Sequence, residues 1–280
     1  GSATKAIDLP CSGTCHLSTA TLALDNATVH VSGAGTTGFT DVLLHAVNTT
    51  RPALEATGAG AFEADTLTVL GEGGVLLRDL DTSIQDLHVD LGLGAGPAID
   101  LMAGDHVWGD VVLERRYSAF DLASQGLVAR YATVSANALT STNLSTGVHL
   151  DTTQFYATMM SSLDGRNAGA VLEQSMLTVA NLDTRLSATG VDAEASTLLV
   201  EDWLADRHQL GLSLDDDSTA TVRTFDASGG TGSSDALGGG SFLWGGSPST
   251  RVQTSSHDRF IETPVTFTDL DSNPIVAAIM

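Results

Sequence analysis

Gly190-Val-Asp-Ala-Glu-Ala-Ser-Thr-Leu-Leu-Val200 is followed in step by Gly211-Leu-Ser-Leu-Asp-Asp-Asp-Ser-Thr-Ala-Thr-Val222. In both stretches a small residue precedes an apolar one, polar turn residues follow, and a short alternating segment closes the unit. The small-apolar pair recurs upstream as Ala53-Leu54, Gly74-Val75, Ala98-Ile99, Ala119-Phe120, Gly147-Val148 and Ala170-Val171. The alternating segment recurs as Leu67-Thr-Val69, Leu87-His-Val89, Val111-Val-Leu113, Ala132-Thr-Val134 and Leu177-Thr-Val179. Such short period-2 segments read as strands, not helices, and the Gly, Asn, Asp and Ser between them suit turns. Two columns keep step at about 22 residues, which marks a repeat architecture.

Stacking one turn on the next at about 4.8 Å lines up like positions as ladders, with inward Val, Leu and Ile forming a continuous core. The leucine-rich-repeat pattern of similar length is absent from the sequence. The repeat resembles the pectate-lyase-like family of right-handed parallel β-helices. It predicts an all-β chain, a right-handed parallel β-helix solenoid of about 8–10 coils of roughly 22 residues. The stack extends upstream through Thr21-Leu-Ala-Leu24, Ala27-Thr-Val-His-Val31 and Asp41-Val-Leu-Leu44. Residues 1–18 are expected to cap it, residues 19–228 to form the β-helix, and residues 229–280 to form a Gly/Ser-rich linker and a terminal hairpin. Pro264-Val-Thr-Phe-Thr-Asp-Leu-Asp-Ser-Asn-Pro-Ile-Val-Ala-Ala-Ile-Met280 resembles the first hairpin of Ig-like or carboxypeptidase-regulatory-like modules. That hairpin either caps the solenoid or begins a further domain of a longer protein.

The charge is lopsided: 34 acidic residues against 12 basic, a net −22. Such a surface repels nucleic-acid phosphates and anionic headgroups, so nucleic acid is not an expected partner. No apolar stretch is long enough to insert in a membrane. Lys5 is the one lysine, and an acidic, lysine-poor chain resembles proteins of halophilic or marine archaea; an ordinary acidic secreted protein is the alternative. Cys11 and Cys15, too few for a zinc site, are expected to form a small disulfide loop, which needs an oxidising compartment. Three sequons, at Asn26, Asn48 and Asn143, agree with a secreted or cell-surface glycoprotein.

The residue after each small-apolar pair should point outward. That column reads Glu55, Leu76, Asp100, Asp121, His149, Leu172, Asp192, Ser213. Asp100 and Asp121 would then sit about 5 Å apart, where two carboxylates could bind Ca²⁺ or share a proton; a solvated acidic face is the alternative. All three tyrosines, with Trp108, Phe120 and Phe155, fall between residues 108 and 156, as do Arg115, Arg116 and Arg130. The longest spacing between pairs falls here too, which predicts a protruding loop over 138–146. Rings pack on sugar faces, and Asp and Arg hydrogen-bond hydroxyls or uronates. Asp100, Asp121, Arg130, Tyr131 and His149 are therefore the candidate ligand-binding residues.

The resemblance implies polysaccharide lyases and glycoside hydrolases as fold relatives, but fold does not carry function. The lysine lies outside the repeats, and neither an Asp-Asp pair nor a Gly-His-Gly element of the polygalacturonase kind is found at the groove. No catalytic residue is assigned, and no cofactor beyond the Ca²⁺ option. Two readings result. The first is a non-catalytic extracellular β-helix module, an adhesive or structural stalk that binds polysaccharide or cell-surface glycan, within a larger protein. The second is a polysaccharide-acting enzyme with a groove near residues 100–150.

Overall fold

The computed structural model describes residues 5–58, 60–94, 96–116, 124–206, 208, 210–214, 218–228, 241–244 and 267–268. Among them every regular element is a strand, and every pairing between strands is parallel. The chain is an all-β parallel solenoid of about nine turns, roughly 22 residues each.

Strands are numbered in chain order. One wall is built from β1 (Lys5–Pro10), β3 (Ala27–Ser32), β5 (Leu54–Thr57), β7 (Val75–Arg78), the first part of β9 (Pro97–Glu114) and of β10 (Gln125–Thr142), then β11 (Thr146–Asp151), β13 (Ala168–Glu173), β15 (Thr189–Glu194) and β17 (Leu210–Leu214). The other strands are longer: β2 (Thr14–Asp25), β4 (Thr36–Val47), β6 (Ala61–Gly71), β8 (Asp81–Asp90), the remainder of β9 and β10, β12 (Gln154–Leu163), β14 (Met176–Arg185), β16 (Thr197–Asp206) and β18 (Thr219–Ser228). Each skips one residue of the ladder midway, as where Ser18 pairs with Thr40 and Ala20 with Val42. The skip divides a long strand into a second and a third wall. β19 (Ser241–Trp244) and β20 (Phe267–Thr268) continue the stack beyond β18. The remainder of 264–280, where the sequence suggests a hairpin, lies outside the described residues.

Inward residues of successive turns stack into one core. The first wall contributes Val29, Leu54, Val75, Ile99, Leu127, Val148, Ala170, Val191 and Leu212, all at most 2% exposed. This register corrects two of the sequence assignments. The turn between Ile99 and Val148 is anchored by Gly126-Leu127, not by Ala119-Phe120, and the next by Gly169-Ala170, not by Ala170-Val171. The long spacing therefore falls between Ile99 and Leu127. Residues 138–142, expected in a protruding loop, are paired strand within β10.

The small residue at each anchor is small because the neighbouring turn crowds it. A Cβ on Gly126 would meet the Gly147 carbonyl, one on Gly169 the Gly190 carbonyl at 2.5 Å, and one on Gly190 the Gly211 carbonyl. Facing this glycine column from the third wall are Ser141, Ser162 and Thr184, at most 1% exposed. Interior hydroxyls fill the space that side chains on those glycines would take.

The corner after the first wall is left-handed at almost every turn: Asp79, Ala103, Tyr131, Thr152, Gln174 and Ala195 have φ between 48° and 57°. This conformation costs an ordinary residue roughly 1–2 kcal/mol. At the later turns a buried hydroxyl ladder offsets that cost by satisfying the backbone at the bend. The Thr153 amide donates to Ser175 Oγ at 3.0 Å, the Ser175 amide to Ser196 Oγ at 2.9 Å, and the Ser196 amide to Ser218 Oγ at 3.1 Å. The Thr153, Ser175 and Ser196 hydroxyls each also donate to the carbonyl two residues back.

At the first turn the Cys11–Cys15 disulfide closes the link between β1 and β2, with Cα atoms 5.9 Å apart. The ring spans a separation of four residues, so its entropic contribution is modest, about 2 kcal/mol.

Candidate functional site

Outward residues of the first wall form two columns because alternate side chains of a strand point to opposite faces. In the first, His30, Glu55, Leu76, Asp100, Val128, His149, Val171 and Asp192 stand in register. Val128 thus holds the position that the sequence reading gave to Asp121, and Val171 the one it gave to Leu172, which is buried. Asp121 itself lies outside the described residues. Asp100 and His149 are two rungs apart, which at one strand spacing per rung is about 10 Å. Val128 lies between them, 1% exposed.

The second column carries Arg78, Met102, Arg130, Asp151, Glu173 and Glu194. Arg130 reaches back one rung, and its Nη1 donates to Asp100 Oδ1 at 2.7 Å, with both side chains about one-third exposed. His149 leans the other way, its Nε2 lying 3.2 Å from Glu173 Oε1. Tyr131 occupies the left-handed corner directly after Arg130 and is 61% exposed. The structure thus joins Asp100 and Arg130 in an ion pair, with Tyr131 next to Arg130 in the chain, and places His149 in a separate pair. A guanidinium with donors to spare, a carboxylate and an open ring face can hydrogen-bond hydroxyls and stack on an apolar ring face.

Among the described residues no group of three or more His, Cys, Asp or Glu side chains is arranged to hold a metal ion. Within them, Asp100 is engaged by Arg130. A shallow depression, open to solvent, lies elsewhere, at the corner lined by Gly33, Gly35, Gly58 and Gly60, and no ionisable side chain lines it.

All three sequon asparagines sit at left-handed corners, with φ of 48° at Asn26, 55° at Asn48 and 58° at Asn143. Asn26 and Asn48 are exposed and Asn143 is half-buried. The hydroxyl residues of two sequons, Thr28 and Ser145, are buried.

Two features were missed in the sequence. Arg115 is 2% exposed, and its guanidinium donates to the carbonyls of Gly92 and Leu93 at 3.4 and 3.3 Å. Nothing local in the sequence separates it from its neighbour Arg116, which pairs with buried Asp90 at 2.5 Å. The second is the acidic ladder Asp151–Glu173–Glu194 on three successive rungs. Its signal was available as a third repeated column, Asp151-Thr-Thr153, Glu173-Gln-Ser175 and Glu194-Ala-Ser196. Like charges directly opposite on paired strands repel, and salt screens such exposed contacts over about 10 Å at 0.1 M. The thermal midpoint should therefore climb as NaCl is raised from low to molar concentration. A midpoint that stays level or falls would show that the ladder and the net charge of −22 carry no stability penalty.

Comparison with protein-family models, with curated proteins and with solved structures finds no match for the chain. The fold defines its class, a parallel β-solenoid, here with an outward Asp100–Arg130 ion pair. No helix is long and apolar enough to cross a membrane among the described residues.

Proposed function

We propose that the chain is a non-catalytic β-helix module of a secreted or cell-surface protein, adhesive or structural, that binds glycan through Asp100, Arg130 and Tyr131. The observation that carries this reading is Tyr131. Its corner is occupied by Ala at residues 103 and 195 and by Asp, Thr or Gln at other turns, so the fold needs no ring there. A tyrosine at 61% exposure beside an ion pair is instead the arrangement that grips a sugar: the ring covers a face and the charges bond hydroxyls. The Cys11–Cys15 disulfide supports an oxidising compartment.

Tyr131→Ala should leave the fold intact, because alanine already serves at the same corner of other turns. On a glycan array it should weaken binding about tenfold, the loss of roughly 1.4 kcal/mol of ring contact. Unchanged binding by the variant, or no binding by the parent chain to any glycan, defeats the glycan reading and leaves a structural module. A reducing-sugar assay on acidic polysaccharides addresses the enzyme reading: turnover abolished by Asp100→Asn or Asp121→Asn would make the chain a polysaccharide-acting enzyme.

A further inference from the structure

Inside the solenoid, where the other inward positions of the second wall are mostly Leu, Val, Phe and Ala, one rung carries a histidine. His106 on β9 points inward and is 2% exposed. Its Nε2 lies 3.0 Å from the Ala103 carbonyl, and its Nδ1 lies 2.9 Å from Thr82 Oγ1 on β8, one turn back. Trp108, 3% exposed, donates its Nε1 proton to the same threonine oxygen at 2.8 Å.

The proton positions follow from the partners. A carbonyl only accepts, so Nε2 carries the hydrogen and Nδ1 is the bare acceptor. The Thr82 hydroxyl must then donate to Nδ1 while accepting from Trp108. Every polar atom of this chain is satisfied, and only with a neutral imidazole. A second proton on His106 would turn Nδ1 into a donor aimed at a hydroxyl that is itself donating. Thr82 would have to rotate, and its own proton would lose its acceptor in an apolar interior, a costly outcome for a buried group.

We propose that Thr82, His106 and Trp108 form a proton-operated latch that joins two consecutive turns at neutral pH and releases them when the imidazole is protonated. The charged groups that bear on the ring are Asp81 on β8 and Asp105 beside it on β9, both of which favour the proton. Its register partner on β10, Val134, carries no charge. Burial outweighs the two carboxylates and the Ala103 carbonyl and pushes the imidazole below its ordinary value of 6.5. The open state therefore binds the proton more readily than the closed one. The latch holds fully above pH 6.5 and weakens as pH falls from there towards the pKa of the closed state.

Amide hydrogen exchange from pH 7.5 to 4.5, corrected for intrinsic rates, tests this. The opening constant at 81–84 and 103–108 should rise about tenfold per pH unit once below the ordinary value, the signature of one linked proton. The same slope should vanish in His106→Gln, while β2 and β4 behave alike in both proteins. Equal slopes in the parent and variant would overturn the latch. Should the variant not fold, ring titration of the parent by NMR decides. A neutral Nε2–H ring that takes its proton as protection is lost supports it, and a ring that titrates without any change in protection refutes it.

Discussion

Gly147→Ala should destabilise the solenoid by about 3 kcal/mol, the upper end of the usual cost of overpacking and far beyond the effect of a single methyl on an exposed strand. A Cβ at Gly147 would lie 2.5 Å from the Gly169 carbonyl oxygen and 2.6 Å from Ser141 Oγ, and closer still to Ser162 Oγ. Real Cβ contacts essentially never fall below 3.0 Å. The serines could swing away, but they are 1% exposed and a displaced hydroxyl would find few new partners. The carbonyl belongs to the ladder of the next turn and cannot retreat without stretching it. Against this, alanine lowers the entropy of the unfolded chain, which returns only about 0.4–1 kcal/mol. Urea denaturation measures the difference, and Ser162→Gly in the alanine background should recover part of it through coupling between neighbours. A loss under about 0.5 kcal/mol, the level of a surface change, would mean that the glycine column is not set by crowding.

Trp203→Ala should cost about 4 kcal/mol, within the range for deleting a buried indole. Trp203 is 1% exposed and stands in backbone register with Leu182 on β14 and with Phe225 on β18. Its Nε1 donates to Thr184 Oγ1 at 3.0 Å, a hydroxyl that also lies 3.1 Å from His208 Nε2. Removing the ring leaves a cavity and disturbs that buried polar group. The damage should also be local, because a turn contacts its neighbours and little else. Hydrogen exchange should show lost protection through β14, β16 and β18, with β2 to β8 retaining theirs. Uniform loss along the whole stack would show that the turns unfold as a single unit.

The period and the strand type were legible in the sequence because inward Val, Leu and Ile repeat at every turn and small residues precede them. The register of two turns was not, because a small-apolar dipeptide is too degenerate to mark a rung alone. Ala170-Val171 fits the pattern as well as Gly169-Ala170 does, and only the backbone crowding at Gly169 separates them. The long turn misled in the same way: Ala119-Phe120 kept the expected spacing, so the extra length was assigned after it and not before Gly126. The candidate patch depended on that register. Asp100 and Arg130 are 30 residues apart in sequence, and whether they meet is decided by which rung Val128 takes. The interior Ser141–Ser162–Thr184 column and the Thr82–His106–Trp108 chain were illegible for a different reason. Each looks polar in sequence, and its interior place is set only when one turn is stacked on the next.

Each turn consumes roughly 22 residues and advances the axis by about 4.8 Å. A single helix would cover about 33 Å with the same chain. As a means of reaching across a distance, this architecture is wasteful. What grows quickly with chain length is area: every added turn lays down another strip on three walls, in fixed register with the strip before it. Such a shape suits a protein selected for the breadth of what it touches. A broad partner, laid along many turns at once, could be held firmly by a row of individually weak contacts.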